Sequence, residues 1–121
     1  MACCVERVRT LNRSAIIVAP KQPFLEWLHS IDPSSHDLKM TDLRSDPSVY
    51  LFPECNDDND LTRYLKEACE EIFEQELESW DRLEETWPKD RGFNAFQRWF
   101  DYGIHWIIFD LAHQPLKLEE M

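Results

Sequence analysis

Glycine and basic residues are scarce in this chain. Only two of its 121 residues are glycine, which leaves no room for a glycine-rich loop around a phosphate group. Thirteen Lys and Arg stand against 24 Asp and Glu, so the formal net charge is −11. This balance argues against nucleic acid and anionic membranes as partners, because both attract basic surfaces. No apolar run approaches the roughly 18 residues of a membrane-spanning helix.

Cysteine and histidine lack the spacings of common metal and redox motifs. The four cysteines form no C-x-x-C pair, and neither H-x-x-x-H nor H-E-x-x-H occurs. No serine lies in a G-x-S-x-G context. The first residues lack the apolar segment of a signal peptide, so we expect a reduced cytoplasmic location. We predict no metal and no cofactor.

Apolar residues are plentiful enough to build a core. Hydrophobic residues make up 43% of the chain and include five Trp, seven Phe and three Tyr. A chain of this length forms one domain and buries roughly 65% of the surface that its unfolded form exposes. We therefore predict a single domain over residues 1–121, with loosely ordered ends at 1–12 and 112–121.

Three short apolar runs predict the strands of one small sheet. They are SAIIVA (14–19), VYLF (49–52) and IHWIIFDL (104–111). The first two are joined by about 30 residues that contain a helix, and such a crossover favours parallel pairing. The third is apolar on both faces, which predicts helices on both sides of the sheet.

Apolar residues at helical spacing predict three helices. The first helix begins at Pro23. The second follows an acidic turn at 54–60 and ends at about Leu83. The third begins at Asp90 and ends at Gly103. A short helical turn is expected near residues 40–44. The predicted order is strand–helix–strand–long helix–helix–strand. This is a small α/β fold, with α+β as the alternative, in which helices pack on a three-stranded sheet.

Three stretches resemble a group of short acidic bacterial proteins of uncharacterised function. They are NRSAIIVAPKQPFLEWLHSID (12–32), VYLFPE (49–54) and WPKDRGFNAFQRWFDY (87–102), about a third of the chain. Residues 1–11 fit this resemblance poorly, which is expected if they are an extension upstream of the natural start. The resemblance implies a bacterial source and brings no activity, ligand or catalytic residue with it.

The negative charge is concentrated in one segment. Residues 54–85 hold 13 acidic and three basic side chains, so they carry −10 of the net charge of −11. The same segment has an apolar stripe at helical spacing, which predicts a long helix with one buried and one anionic side. Five glutamates, three or four positions apart, form the anionic side: Glu67, Glu70, Glu71, Glu74 and Glu78.

Helix stability does not explain these glutamates. Like charges at such offsets destabilise a helix by about 0.2–0.5 kcal/mol per pair. Three pairs at i, i+4 offset part of this effect: Arg63–Glu67, Lys66–Glu70 and Glu78–Arg82. The anionic side is therefore either a solvated surface that keeps the protein soluble, a docking surface for a basic protein, or a cation site.

The acidic turn before this helix matches a calcium loop only in part. Asn56, Asp58 and Asp60 occupy the first, third and fifth positions, but Leu61 stands where glycine is required. Helix capping explains these acids more simply.

A second candidate site lies on the third predicted strand. His105 shares a face with Ile107 and Phe109, which is typical of a hydrogen-bonded core histidine. Asp101 or Asp110 could instead set the tautomer of its ring, as in a general acid–base site. Strand alternation places Asp110 on the other face, which weakens that pairing.

These patterns favour a non-enzymatic cytoplasmic interaction domain whose acidic helix binds a basic protein partner. The alternative from another class is a small enzyme or metal-dependent protein with a site near His105. A third hypothesis is a homo-oligomer joined through aromatic helix faces, or through the cationic edge at Trp87, Lys89, Arg91 and Arg98. The simpler interpretation of that edge is a loop fixed by Trp87, with Arg98 pairing an acid.

Overall fold

The computed structural model describes residues 8–119, and its elements follow the predicted order with two additional short strands. The strands are β1 (Arg9–Thr10), β2 (Arg13–Pro20), β3 (Ser48–Pro53), β4 (Phe100–His105) and β5 (Phe109–Asp110). The helices are α1 (Gln22–Ile31), α2 (Met40–Leu43), α3 (Asp58–Glu78) and α4 (Phe93–Trp99), with 3-10 turns at Pro33–Asp37 and Glu84–Thr86. The predicted small α/β fold with helices on a three-stranded sheet is confirmed.

β2 is the central strand of the sheet, whose order is β3-β2-β4. Both neighbours run antiparallel to β2, so the predicted parallel pairing of the first two strands is wrong. α1 leads the chain away from the end of β2, but α2 returns to it, where Arg44 Nη1 donates a hydrogen bond to the Pro20 carbonyl at 2.8 Å. β3 therefore starts beside Val18, which pairs with Ser48, and runs back along β2.

β1 and β5 extend the β2–β4 pair as a two-stranded ribbon. Four residues (11–14) separate Thr10 from Ala15, whereas only three (106–108) separate their partners Phe109 and His105. The extra residue makes a β-bulge, which increases the local twist. Arg9 and Thr10 therefore pair with β5 although they fall in the predicted loosely ordered start, and residues 1–7 lie outside the described range.

Ser14 holds the sheet together beside this bulge. Its side chain is fully buried, and its hydroxyl donates to the Trp106 carbonyl at 3.2 Å and accepts from the Cys55 backbone N–H at 3.0 Å. One serine therefore satisfies backbone groups from both outer segments of the sheet, which would otherwise be costly to bury.

α1, α3 and α4 pack on one face of the sheet, which we call the covered face. Its fully or largely buried strand residues are Ile16, Val18, Phe52 and Phe100. Aromatic rings fill the centre: the Phe73 ring centroid lies 5.0 Å from that of Phe100 and 5.3 Å from that of Trp99. The aromatic side of α4 therefore faces the core, which removes it as the predicted oligomer interface.

The opposite side of the sheet, which we call the open face, carries no helix formed by residues 8–119. By strand register it consists of Arg13, Ala15, Ile17, Ala19, Val49, Leu51, Pro53, Asp101, Gly103 and His105. Val49 is 59% exposed and Leu51 is 50% exposed. Helices on both sides of the sheet were predicted, and this is wrong, because α1 and α3 both contact α4 and the three form a single layer.

Two predicted boundaries also differ from the structure. α3 ends at Glu78 rather than near Leu83. α4 ends at Trp99, and Gly103 lies within β4 rather than terminating the helix. Phe100 is already extended and pairs with Pro20, so the sheet begins as soon as the helix ends.

Candidate functional site

α3 begins in the acidic turn, whose side chains act on the helix terminus. Asp57 is the N-cap, and its carboxylate accepts a hydrogen bond from the Asp60 backbone N–H at 2.8 Å. Asp58 and Asp60 lie in the first turn, where negative charge favours the helix dipole. Among residues 8–119, no group of three or more His, Cys, Asp or Glu could hold a metal ion.

The apolar side of α3 is buried along its whole length, as its periodicity predicts. The buried residues are Leu61, Leu65, Cys69, Ile72, Phe73 and Leu77. Burying each large apolar side chain contributes about 1.5–3 kcal/mol, so this side fixes the rotation of the helix. The predicted glutamates are consequently held on the outer side.

The five predicted glutamates fall into two groups. Glu70 and Glu74 face Arg91, whose Nη2 lies 3.9 Å from Glu70 Oε1 and 3.0 Å from Glu74 Oε2. Glu67, Glu71 and Glu78 are exposed, and within residues 8–119 no cationic side chain forms an ion pair with them. We call these three residues the free acidic face.

Arg91, which the sequence placed in the cationic edge, pairs with acids of α3 in the same chain. Its side chain is only 23% exposed, donates from Nη1 to the Pro88 carbonyl at 2.8 Å, and lies 5.8 Å from the centre of the Trp87 ring. Trp87 is itself buried and donates from Nε1 to the Asp81 carbonyl, which fixes the loop as the simpler interpretation of that segment predicted. The sequence gives no local pattern for the pairing of Arg91 with Glu74, because the two residues are 17 positions apart along the chain.

Two of the ion pairs predicted along α3 are replaced by other contacts. Arg63 lies 3.5 Å from Asp60 rather than beside Glu67, and Lys66 lies over the ring of Phe93 at 5.4 Å rather than beside Glu70. A cation over an aromatic face gains about 0.5–1 kcal/mol at an exposed site, which competes well with an exposed ion pair. Glu67 is left without the predicted partner.

One further acid of α3 binds the sheet. Glu76 accepts a hydrogen bond at 2.5 Å from the hydroxyl of Tyr50, which lies on β3. Burial raises the pKa of Tyr50, and the hydrogen bond and negative charge of Glu76 raise it further. The neutral tyrosine therefore ties the edge strand to α3, and Glu76 is not part of the free acidic face.

The alternative site at His105 is not assembled. His105 is exposed on the open face, while Asp101 is bound by Arg44 at 2.9 Å and by Lys21 at 3.6 Å. Asp110 lies 4.0 Å from Arg9 in the ribbon. The three residues therefore do not converge on a common reacting centre, and His105 is not the core residue that the sequence favoured.

The described cysteines are poor nucleophiles. Burial raises the pKa of the Cys55 thiol, and the charges of Asp60 and Asp57 raise it further. Burial also raises the pKa of Cys69. Both thiols therefore stay protonated at neutral pH, which disfavours attack or metal binding through sulfur.

Comparison with family models, with curated proteins and with solved structures gives no match. Within residues 8–119, no helix is both long enough and apolar enough to cross a membrane. Function therefore has to be inferred from the surfaces described above.

Proposed function

We propose that this protein is a non-enzymatic interaction domain that binds a basic surface of another protein through the free acidic face of α3. The observation that supports this most directly is that Glu67, Glu71 and Glu78 are exposed and form no ion pair within residues 8–119, whereas nearby Glu70 and Glu74 share Arg91 as a partner. From Glu67 to Glu78 the face spans roughly 16 Å of helix, about three turns.

The rigidity of α3 favours binding over mere solvation. Its inner side is buried from Leu61 to Leu77, so the three carboxylates are presented in a fixed arrangement. A preorganised surface loses less conformational entropy on association than a flexible acidic tail would. The same acids gain nothing for helix stability, since they lie past the first turn where the dipole favours them.

Charge defines the partner class. The helix Asp58–Glu78 contains eight acidic and two basic residues, in a chain of net charge −11. Such a surface attracts a lysine- or arginine-rich protein over the Debye length of about 8 Å at physiological salt. We expect fast association at low salt and an affinity that falls as salt is raised.

The test compares two variants of equal net charge. Glu67→Lys/Glu71→Lys/Glu78→Lys changes the free acidic face, and Glu26→Lys/Asp37→Lys/Glu119→Lys changes three exposed acids elsewhere. Each moves the net charge from −11 to −5, because each substitution adds +2. The immobilised proteins are exposed to a cell lysate at low salt, eluted with a salt gradient, and the bound proteins are identified by mass spectrometry.

We expect a discrete basic protein that the wild type and the control retain and the α3 variant loses, with at least a tenfold drop in affinity (about 1.4 kcal/mol). Circular dichroism checks that both variants keep their helix content. Equal retention by the α3 variant, or equal loss by both variants, would contradict the proposal.

A further inference from the structure

A small crevice lies at the C-terminal end of α3, and we call it the α3-end crevice. It is bounded by the end of β2, by α1, by the segment that joins α2 to β3, and by the last turn of α3. Its volume is about 130 Å³. A drug-sized ligand needs roughly 300–1,000 Å³, whereas one water occupies roughly 30 Å³ in the liquid. The crevice therefore has room for a group of only four or five non-hydrogen atoms, by that rough measure.

The walls of the crevice are apolar and fixed by the protein core. They are formed by Val18, Pro20, Phe24, Leu43 and Pro47. Val18 and Phe24 belong to the fully buried core, so the shape of the crevice does not depend on mobile surface side chains. Walls of this kind favour an alkyl group over a hydrated ion, because burial of apolar surface drives the contact.

The charged groups of the crevice are all acidic. Asp46 and Glu76 line it, whereas no Lys, Arg or His does. Within residues 8–119, no cationic side chain forms an ion pair with either acid. Arg44 lies only two positions before Asp46 but binds Asp101 at 2.9 Å, on the open face. The two carboxylates are therefore available to a cation from outside the described chain.

The end of α3 adds further negative potential beside these acids. Its last turn contains no basic residue, and the free carbonyls of a helix C-terminus carry about half a negative charge. The Glu76 carboxylate is held in place by the Tyr50 hydroxyl at 2.5 Å. The Ser79 hydroxyl donates to the Glu76 carbonyl at 2.6 Å, so the lone pairs of its oxygen can accept. Asp46, Glu76 and Ser79 together offer one acceptor for each N–H of an ammonium group.

An aromatic ring completes the lining of the crevice. Trp80 follows α3 directly, lines the crevice and is 46% exposed. A cation close to the face of a tryptophan ring is attracted by the electrons of that ring, and recognition of organic ammonium ions uses this interaction. Calcium would need about six to eight oxygen ligands, which two carboxylates and apolar walls do not supply.

We propose that the α3-end crevice binds an alkylammonium group, with its alkyl part against the apolar walls and its nitrogen beside Asp46, Glu76 and Trp80. This goes beyond the proposed function, because none of Glu67, Glu71 and Glu78 lines the crevice. A free small amine and the side chain of a lysine in another protein share this chemistry, and the experiment separates the two sources.

The test titrates the ¹⁵N-labelled full chain with n-butylammonium chloride at neutral pH and follows the indole N–H signals of its five tryptophans by NMR. The Trp80 signal is identified by its absence from Trp80→Phe. Sodium chloride keeps the ionic strength constant up to about 50 mM ligand, so that general screening does not change. We expect a saturable shift of the Trp80 signal with a dissociation constant of about 1 mM, which a five-atom ligand reaches at about half of the ceiling per atom.

Two variants of equal charge test the role of the crevice. Asp46→Asn removes one lining carboxylate and should weaken binding by about fivefold. Glu78→Gln is the matched control, because it removes the same charge from the end of α3 but does not line the crevice, and it should change binding by less than about twofold. The dispersion of the NMR spectrum checks that each variant is folded.

Two further ligands define what is recognised. n-Butanol has the same alkyl chain without the charge and should bind at least about tenfold more weakly. Lysine with both backbone groups blocked presents the same ammonium on a larger molecule. Binding equal to that of n-butylammonium supports a lysine side chain as the natural occupant, and weaker binding supports a free amine.

Three results would overturn the proposal. They are an unchanged Trp80 signal at about 50 mM n-butylammonium, equal binding of n-butanol, and equal weakening by Asp46→Asn and Glu78→Gln. None of them affects the proposed function of the free acidic face, whose Lys variant should bind n-butylammonium as the wild type does.

Discussion

Apolar residues occur on both faces of the central sheet but lie in different surroundings. On the covered face, Val18 and Phe52 are packed under three helices. On the open face, Val49 and Leu51 have comparable apolar side chains and are at least half exposed. The difference shows that apolar alternation marks which residues share a face, whereas the path of the connecting helices decides which face is covered.

The two sides of the sheet also differ in their charged residues. The outer side of the helix layer carries the free acidic face, whereas the open face carries Arg13 at one end and, at the other, Asp101, which Arg44 and Lys21 bind. Exposed apolar residues such as Val49 and Leu51 interact through close packing rather than through charge. A charged, rigid helix suits a salt-sensitive encounter. The molecule therefore has two surfaces with different physical properties, and substitutions can test each of them separately.

The largest expected difference between the faces is the energetic cost of truncating a side chain. Phe73 is fully buried against the covered face, and Phe73→Ala should destabilise the fold by about 3–5 kcal/mol, because it removes apolar contacts and leaves a cavity. Leu51→Ala on the open face should cost less than about 1 kcal/mol in the monomer. Urea unfolding at a concentration where the chain is monomeric measures both. Similar costs for the two variants would mean that the open face is covered within one chain.

Several parts of this comparison follow from the sequence. The apolar stripe of α3 and the first two strand segments were correctly predicted, because each depends on local periodicity. The third strand was predicted at 104–111, but β4 is Phe100–His105 and only Phe109–Asp110 of the remaining residues form a strand, so that prediction is correct only in part. The turn of α2 near residues 40–44 was also predicted. The grouping of Glu67, Glu71 and Glu78 on the outer side of α3 follows from helical spacing alone.

The parts that could not be predicted depend on long-range contacts. Strand direction depends on the return of α2 to the end of β2, which Arg44 and Pro20 secure. Neutralisation of Glu74 depends on Arg91, which a separate loop brings to α3. No helix of residues 8–119 covers the open face, because α1, α3 and α4 form a single layer on the covered face. None of these features leaves a periodic signal in the sequence.

A smaller difference should appear at high pH on a single strand. Tyr50 points to the covered face between exposed Val49 and Leu51, and its pKa is raised mainly by burial and then by Glu76. Unfolded tyrosine loses its proton above about pH 10, whereas folded Tyr50 keeps it. The contribution of Tyr50 to stability should therefore be constant below about pH 10 and fall as pH rises above it, by at most about 1.4 kcal/mol per unit. Partial exposure of Tyr50 keeps the effect below that limit.

Urea unfolding of wild type and Tyr50→Phe at several values between about pH 8 and pH 11 isolates this effect, because other titrating groups cancel in the difference. The variant should lose part of the decline above pH 10 and should be somewhat less stable at neutral pH, where the hydrogen bond to Glu76 contributes about 1 kcal/mol. Parallel curves for the two proteins would show that Tyr50 is as accessible as its exposed neighbours on β3.

The smallest expected effect is a gain in stability at Gly103. In the described range no glycine has a positive φ, and a Cβ at Gly103 would meet only His105 Nε2 at 3.7 Å. Gly103→Ala should therefore stabilise the monomer by about 0.4–1 kcal/mol, because alanine restricts the unfolded chain. Gly92→Ala is the control: Gly92 is the N-cap of α4, where alanine is unfavourable, so this change should give no gain. Destabilisation by Gly103→Ala would require a neighbour above the open face within the same chain, and the contrast between the two faces would then be lost.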